Sequence, residues 1–352
     1  GRDSARSVSL ATGFGVISSS CSFAALATTR SLIAKGAHFV PAMAFLLAST
    51  NLVIELGILI AIFLGWQFIV GEYLGGLLLI LVIWGLARLT LPKTLMRRVR
   101  ERLEAGTEEE GRPLSHLWTR PAIWREVGET YVGEWRMVWR DVTVGFTLAG
   151  IIAVFVPAEV FAWLFPGTGS GEAYSFGQLV LHAVVGPVAA FFTFIGSMGN
   201  IPLAGVLFQN GVSMAGVMAF IFSDLVVLPV LRVNAAYYGW RLALYIAALF
   251  LAALVVVAVA VHLGFAAAGL LPEATNVAAR TDPADRFGLD YTFWFNMAFL
   301  AASAALGWQA MKPQDGGGHH HHDHGSGGQI LTALALLSYA WLAAGLALAA
   351  IL

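Results

Sequence analysis

Long apolar segments separated by short polar breaks dominate this chain of 352 residues. A transmembrane helix needs about 20 mainly apolar residues. Segments that reach this length are found at 40–65, 68–90, 141–165, 174–193, 213–232, 240–268, 290–310 and 329–351. The pattern predicts an all-α protein, a polytopic transmembrane helical bundle.

Three shorter apolar stretches border small and polar residues, at 8–19, 21–34 and 197–209. They are too short to cross a bilayer as ordinary helices. Irregular backbone at membrane depth is tolerated only where protein or a watery cavity surrounds it. We therefore expect broken half-helices that end at a site inside the bundle.

A polar motif borders these stretches twice, as Ser18–Ser22 and as Gly196–Pro202. Each copy is followed by a glycine turn, and the two turn glycines, Gly36 and Gly211, are 175 residues apart. Duplicated segments with broken helices are typical of secondary transporters, which bind their substrate between the repeats. The substrate-binding residues predicted from the motif are Ser20, Cys21, Ser22, Ser197, Met198, Gly199 and Asn200.

The second motif copy also carries a signal for the start of a helix. Asn200 is suited to cap a helix, and Pro202 costs nothing in a first turn, where no N–H is needed. A helix that begins here would direct free N–H groups and a partial positive charge at a bound solute. The alternative is a helix kink between packed neighbours.

The composition is that of an integral membrane protein. Hydrophobic residues make up 58% of the chain and charged residues only 12%, whereas soluble proteins carry roughly 25% charged residues. The sequence has neither a Gly-x4-Gly-Lys-Ser/Thr nor a His-Glu-x-x-His motif, which argues against a nucleotide-driven pump and an intramembrane metalloprotease. We predict no enzyme activity, no cofactor and no nucleic-acid partner. The lipid bilayer and a small solute are the expected partners, and a homo-oligomer is left open.

Positive charge is concentrated in one polar loop, and this predicts the topology. Ten of the twenty Lys and Arg residues lie between Lys93 and Arg140, so the loop is expected in the cytoplasm. Five membrane-directed passes then separate the two turn glycines, and an odd number makes the repeats inverted. The predicted division is repeat one at 1–90, the cytoplasmic loop at 91–139, repeat two at 140–268 and a C-terminal helical hairpin at 269–352. The counterpart of span 141–165 would precede residue 1, so we expect that N-terminal sequence is missing.

Carboxylates occur inside the apolar spans. Asp224 lies near the middle of its span, and its counterpart in repeat one is Ser49. A carboxylate at that depth costs about 2.5–3.5 kcal/mol on insertion scales and usually faces the bundle interior. Glu55 follows Asn51 by four residues and would share its helix face.

We predict that Asp224 and Glu55 couple transport to a proton or cation and that Asn51 contributes to substrate binding; a structural hydrogen-bonding role is the alternative. Glu72, nearer the end of its span, is expected at the membrane interface.

A histidine-rich loop lies between the last two predicted spans. Glycines flank a run of six residues, five of which are histidines. Imidazole and carboxylate ligands suit Zn²⁺, Ni²⁺ or Cu²⁺. The predicted metal ligands are His319, His320, His321, His322 and His324. The alternative is a low-complexity linker that binds metal only incidentally.

The two motif copies resemble those of the ArsP-like predicted permease family. The resemblance rests on Ser20-Cys21-Ser22, Lys35-Gly36, the run from Gly196 to Ala204, and Ser223-Asp224-Leu225. The best-understood members of this family export trivalent organoarsenicals, which implies a multi-pass permease of the bacterial inner (plasma) membrane without an ATPase domain. Many relatives carry a Cys-Ser-Cys type motif, whereas here Phe23 follows Ser22.

These observations together predict a membrane permease, a secondary-active exporter of a small toxic solute such as an organoarsenical or metalloid. One alternative is a divalent transition-metal efflux carrier, in which the histidine-rich loop concentrates metal at the inner mouth. Another is a membrane scaffold or assembly protein without transport, in which the 91–139 loop docks a soluble partner.

The predicted topology can be checked by labelling single cysteines, introduced on a Cys21→Ser background, with a membrane-impermeant thiol reagent. Cysteines in 166–173 should react in intact cells, because this loop has no Lys or Arg and is expected outside. Cysteines in 91–139 and 311–328 should react only in everted vesicles. Labelling of 311–328 from the outside would contradict the inverted-repeat count.

Overall fold

Apolar helices make up the described part of the chain. In a computed structural model, the structure describes residues 4–20, 22–91, 173–193, 197–272 and 291–310, together with parts of 124–168 and 333–340. No strand occurs among these residues, in agreement with the predicted all-α class. The chain divides into two compact units, one formed by Gly1–Thr107 with Gly145–Arg280 and the other by Glu108–Val144 with Thr281–Leu352.

The first unit contains two successive sets of helices. The first set is α1 (Ala5–Ser18), α2 (Ser22–Ala34), α3 (Phe39–Asn51), α4 (Ile54–Phe63) and α5 (Trp66–Thr90). A short helix, α6 (Ala158–Leu164), precedes the second set, which is α7 (Phe176–Thr193), α8 (Ser197–Gln209), α9 (Met214–Phe222), α10 (Leu228–Tyr238) and α11 (Trp240–Ala267). A 3₁₀ turn, Ser223–Leu225, follows α9. The second unit contains α12 (Tyr291–Ala310).

The second set of helices repeats the first at almost constant spacing. The short helices α2 and α8 each have 13 residues and are separated by the same 175 residues that separate their first serines. Both end in the same turn, in which the N–H after the glycine donates to a carbonyl five residues earlier. Gly36 and Gly211 have φ angles of 91° and 83°, a left-handed conformation that glycine adopts without steric cost. The sequence repeat is therefore also a repeat of helices.

Packing within and between the two sets is reciprocal. Helix α1 packs against α3 as α7 packs against α9, and α3 packs against α5 as α9 packs against α11. Between the sets, α2 packs against α10 and α8 packs against α4, while the long helices α5 and α11 pack against each other. Two copies of one unit make contacts of this kind when an approximate two-fold axis relates them.

Glycines allow the helices within each set to approach at backbone distance. A Cβ atom on Gly15 of α1 would lie 2.7 Å from the carbonyl oxygen of Phe45 in α3. On Gly186 of α7, it would lie 2.6 Å from the carbonyl oxygen of Gly216 in α9. Small residues at such crossings are typical of helix pairs in membranes, where close van der Waals packing drives association.

Three helical segments are long and apolar enough to cross a membrane by length and composition: α5, the segment Met214–Tyr238 and α11. Helices α5 and α11 agree within two residues with the predicted spans 68–90 and 240–268. The predicted span 40–65 is instead a bent pair, because α3 and α4 meet at an angle of 44°. If this pair counts as one span, the described part of the chain has four. The protein is thus an α-helical membrane protein.

The close approach of α1 to α3 generates a prediction about stability. Gly15→Ala should lower the free energy of unfolding by about 1–3 kcal/mol, because the added methyl group must displace the backbone of α3. The matched control is Gly13→Ala in the same helix, where nothing lies within 4 Å of the added Cβ. The control should leave stability unchanged or raise it by about 0.5–1 kcal/mol. Thermal unfolding in detergent measures both, and equal behaviour of the two variants would contradict the packing.

Candidate functional site

The starts of two short helices and one helix break converge on a buried carboxylate. Ser22 begins α2, Ser197 begins α8, and Asp224 lies in the 3₁₀ turn after α9. The Ser197 hydroxyl donates to Asp224 Oδ2 at 2.7 Å, and the Ser22 hydroxyl donates to the same oxygen at 3.4 Å. The two serine hydroxyls are 3.2 Å apart, and Asp224 is only 3% exposed. We call these three residues the serine–aspartate centre.

The serine–aspartate centre lies where the two repeats meet. Ser22 and Ser197 are equivalent positions of the repeat, 175 residues apart, and they contact each other. Equivalent residues can touch only if they lie next to the axis that relates the two copies. The two serines thus bring one residue of each motif copy into contact.

The sequence around Asp224 explains why the helix breaks there. The Ser223 hydroxyl donates back to the Phe220 carbonyl at 2.6 Å, a bond that competes with regular helix continuation. The next helix, α10, has Pro229 in its first turn, where a fixed φ angle favours a helix start. The carboxylate of Asp224 consequently projects from a short 3₁₀ turn between two helices rather than from the middle of a continuous one.

Asp224 has no carboxylate counterpart in the first repeat. The equivalent residue is Ser49, whose hydroxyl donates to the Leu46 carbonyl within its own helix at 3.0 Å. The first motif still reaches this region, since the N–H of Ser20 donates to the Ser49 carbonyl at 3.1 Å. At the position equivalent to Asp224, the first repeat thus offers a backbone carbonyl instead of a carboxylate.

The predicted helix start at Asn200 is wrong. Helix α8 begins at Ser197, and Asn200 is its fourth residue, fully buried. The Ser197 hydroxyl at this helix start donates to Asp224 Oδ2. Pro202 therefore lies inside α8, where it has no N–H to donate to the carbonyl of Met198. Gly199 is buried beside Asn200.

The predicted shared face of Asn51 and Glu55 is also wrong. Helix α3 ends at Asn51 and α4 begins at Ile54, so the four-residue spacing does not lie on one continuous helix. Asn51 is 1% exposed, whereas Glu55 is exposed and accepts a hydrogen bond from the Ser19 hydroxyl at 3.0 Å. The bend of 44° between the two helices separates these side chains.

Glu72 is the residue that the sequence interpretation misplaced. It was expected at the membrane interface, but it is 0% exposed. Both of its carboxylate oxygens have no hydrogen-bond partner among the described residues, and its charge interacts with that of Asp224. The signal that identifies it is the set of glycines around it on α5, at Gly71, Gly75 and Gly76, which let neighbouring helices pack closely on its face.

Two groups of predicted ligands lie outside the described residues. They are Cys21 and the histidine-rich loop with His319, His320, His321, His322 and His324. In the part of the chain that the structure describes, no group of three or more His, Cys, Asp or Glu residues is arranged to hold a metal ion. Of the predicted substrate-binding residues, Ser22 and Ser197 come together, while Asn51, the last residue of α3, and Asn200, in the first turn of α8, are buried.

Comparison with known proteins places this helical architecture among permeases. Residues 1–263 match the family model for ArsP-like predicted permeases. The Mycobacterium tuberculosis protein Rv2963, whose name designates it a permease, is 38% identical over 319 residues, which cover 87% of this chain and 77% of that protein. No solved structure matches the chain.

Proposed function

Because the chain belongs to the ArsP-like predicted permease family, we propose that it is a secondary-active exporter of a small toxic solute in the bacterial inner membrane. The observation that carries this proposal is the serine–aspartate centre, in which both repeats donate a hydroxyl to one buried carboxylate. Ionisable groups inside membrane bundles usually mark substrate or ion pathways. The family membership indicates a transporter rather than an enzyme.

The transport cycle that we propose is alternating access between two inverted repeats. The reciprocal packing of the two helix sets supports a two-fold relation, and the concentration of positive charge between Lys93 and Arg140 supports an axis that lies in the membrane plane. Rocking of one repeat against the other would open the centre to each side in turn. In each half of the cycle, the hydroxyls of Ser22 and Ser197 would then exchange their present contact for one with the solute or with another residue.

The substrate that fits this proposal best is a trivalent organoarsenical. Cys21 directly precedes Ser22 of the serine–aspartate centre in the sequence, and trivalent arsenic has a strong preference for thiolate ligands. A single thiol suits an arsenical whose organic groups already occupy part of the arsenic valence. The hydroxyls of Ser22 and Ser197 already donate to Asp224, and their oxygen atoms would be the hard ligands of the site.

A divalent-metal substrate has weaker support. It rests on the histidine-rich loop, and the described residues contain no cluster of three or more metal-ligating side chains near the centre. A scaffold without transport leaves the buried polar centre between the repeats unexplained. For these reasons, we propose organoarsenical export in preference to both alternatives, with Asp224 as the coupling carboxylate.

The role of Asp224 can be tested by transport into everted membrane vesicles, with a trivalent methylarsenical as the solute and an imposed proton gradient. Wild-type vesicles should accumulate the arsenical. Asp224→Asn should reduce accumulation to the level of vesicles without the protein, because the amide keeps the shape of the side chain but cannot bind and release a proton. The control is Glu159→Gln at the exposed start of α6, which should transport like the wild type.

Two outcomes would contradict this proposal. Proton-driven accumulation by Asp224→Asn at the wild-type rate would remove the coupling role and leave a structural aspartate. Accumulation of Zn²⁺ or Ni²⁺, but not of the arsenical, by wild-type vesicles would replace the organoarsenical with a transition metal. Membrane levels of each variant are measured by immunoblot so that a folding defect is not read as a transport defect.

A further inference from the structure

We propose that Glu72 and Asp224 together form a binding site for one monovalent cation, a proton or Na⁺, whose gradient drives transport. This inference rests on the permease function proposed above and adds to it the second ligand of the coupling site. Glu72 lies on α5 of the first repeat and Asp224 follows α9 of the second. The site would therefore be shared between the two repeats.

The first observation behind this site is that three carboxylate oxygens of the two residues lack a hydrogen-bond partner. Both oxygens of Glu72 and the Oδ1 oxygen of Asp224 are buried and have no hydrogen-bond partner among the described residues. Only Asp224 Oδ2 is engaged, by the two serine hydroxyls. Buried polar atoms are nearly always hydrogen-bonded in folded proteins, and those that are not call for a ligand, an ion or water.

The packing of α5 is the second observation. It brings the face of α5 that bears Glu72 beside two helix breaks, the Ser223–Leu225 turn after α9 and the bend between α3 and α4. A Cβ atom on Gly75 would lie 2.5 Å from the ring of Phe222, the residue before the Ser223–Leu225 turn. On Gly76, it would lie 2.5 Å from the side chain of Leu52, at the bend between α3 and α4. Gly75 and Gly76 are three and four residues after Glu72, on the same face of the helix. This face of α5 therefore contacts both breaks.

A buried amide, Asn51, adds a polar group beside this face of α5, and a second buried amide, Asn200, lies on α8. Asn51, at the end of α3, has its Cβ 4.0 Å from the position of a Cβ on Gly76, and its Nδ2 has no partner. Asn200, one turn after Ser197 in α8, is fully buried with neither amide atom partnered among the described residues. Amide oxygens are suitable ligands for Na⁺, and amide N–H groups can hold a water molecule beside a carboxylate.

The electrostatics of the two carboxylates require a cation. Two like charges buried in an apolar bundle repel strongly, and desolvation adds a further penalty. Glu72 is 0% exposed and Asp224 is 3% exposed. Helices α3 and α9, which pack against α5, carry no ionisable side chain. A bound proton or Na⁺ would neutralise part of this charge.

The other ionisable side chains on the helices that pack against α5 have different surroundings. Glu55 of α4 is exposed and bonded to Ser19. On α11, His262 is buried, Tyr245 is hydrogen-bonded to Thr90 at the end of α5, and Arg241 is exposed in the first turn. The hydroxyl of Tyr73, next to Glu72 on α5, donates to the Val53 carbonyl at 3.2 Å. These groups are the ones whose titration must be separated from that of Glu72.

The experiment measures cation binding on the purified full-length chain in detergent, without any substrate. Dicyclohexylcarbodiimide, which adds to protonated carboxyl groups in apolar surroundings, is applied to the wild type across a range of pH, with NaCl or with choline chloride. Mass spectrometry then quantifies the labelled peptide that contains Glu72. We expect labelling of Glu72 that falls with rising pH. Suppression by Na⁺ but not by choline at constant pH would identify Na⁺, and equal labelling in the two salts would identify the proton.

Variants test whether the two carboxylates act as a pair. Glu72→Gln should lose the label at this position, and Asp224→Asn should shift the midpoint of the pH or Na⁺ dependence of Glu72 labelling. Glu159→Gln, outside the site, should label at Glu72 like the wild type. Labelling of Glu72 in the wild type that does not depend on pH or Na⁺, or a midpoint unchanged by Asp224→Asn, would overturn the site. Because no solute is present, this result is independent of whether the arsenical is transported.

Discussion

The hydrogen bonds that two equivalent serines donate to one buried aspartate hold the centre of this protein together. Ser22 and Ser197 begin the short helices of the two repeats, and both reach Asp224 Oδ2. A carboxylate in an apolar bundle is tolerated only when its surroundings stabilise its charge or its proton. The starts of α2 and α8, the break after α9 and the close packing of α5 all lie around this group, so the rest of the first unit positions it.

The proposed function depends on residues that differ between the two otherwise similar sets of helices. Ser22 and Ser197 are equivalent, and so are the turns at Gly36 and Gly211. The two acids are not: Asp224 is matched by Ser49, and the residue 175 positions after Glu72 is an alanine. A strictly symmetric protein would carry two equal half-sites. Here each helix set supplies one buried carboxylate, Glu72 from the first and Asp224 from the second.

The sequence was sufficient to predict the helical class and the positions of the long helices α5 and α11. Apolar length determines where helices form, and the constant spacing of 175 residues makes Ser22 and Ser197 equivalent positions, but only the structure brings the two into contact. The errors lie where tertiary contacts override local signals. Asn200 has the residue type of a helix cap, but it lies inside α8, which begins at Ser197. The bend between α3 and α4 separates Asn51 from Glu55. It could not be predicted from a proline, because no proline lies between the two helices.

Glu72 could not be placed from its position in the span alone. A glutamate seven residues into an apolar helix is compatible with the membrane interface or with the bundle interior, and the neighbouring helices decide between them. The glycines at 71, 75 and 76 are the part of the sequence that carries this information, because they allow α3 and α9 to pack against the face that bears the acid. An acid flanked by glycines at helical spacing is therefore a stronger sign of a buried site than depth in the span.

The central claim, that the two repeats meet at Ser22 and Ser197, is tested most directly by a disulfide between them. The double variant Ser22→Cys, Ser197→Cys on a Cys21→Ser background is oxidised in membranes, and the cross-linked peptides are quantified by mass spectrometry. Hydroxyls 3.2 Å apart predict a high yield of an intramolecular disulfide, which requires Cβ atoms about 3.5–4.5 Å apart. The control pair is Ser22→Cys with Ser175→Cys. Ser175 directly precedes α7, so the length of that helix, about 27 Å, separates it from the residue that ends α7. This pair should not cross-link. Absence of the disulfide in the first pair, or equal yields in both pairs, would contradict the account.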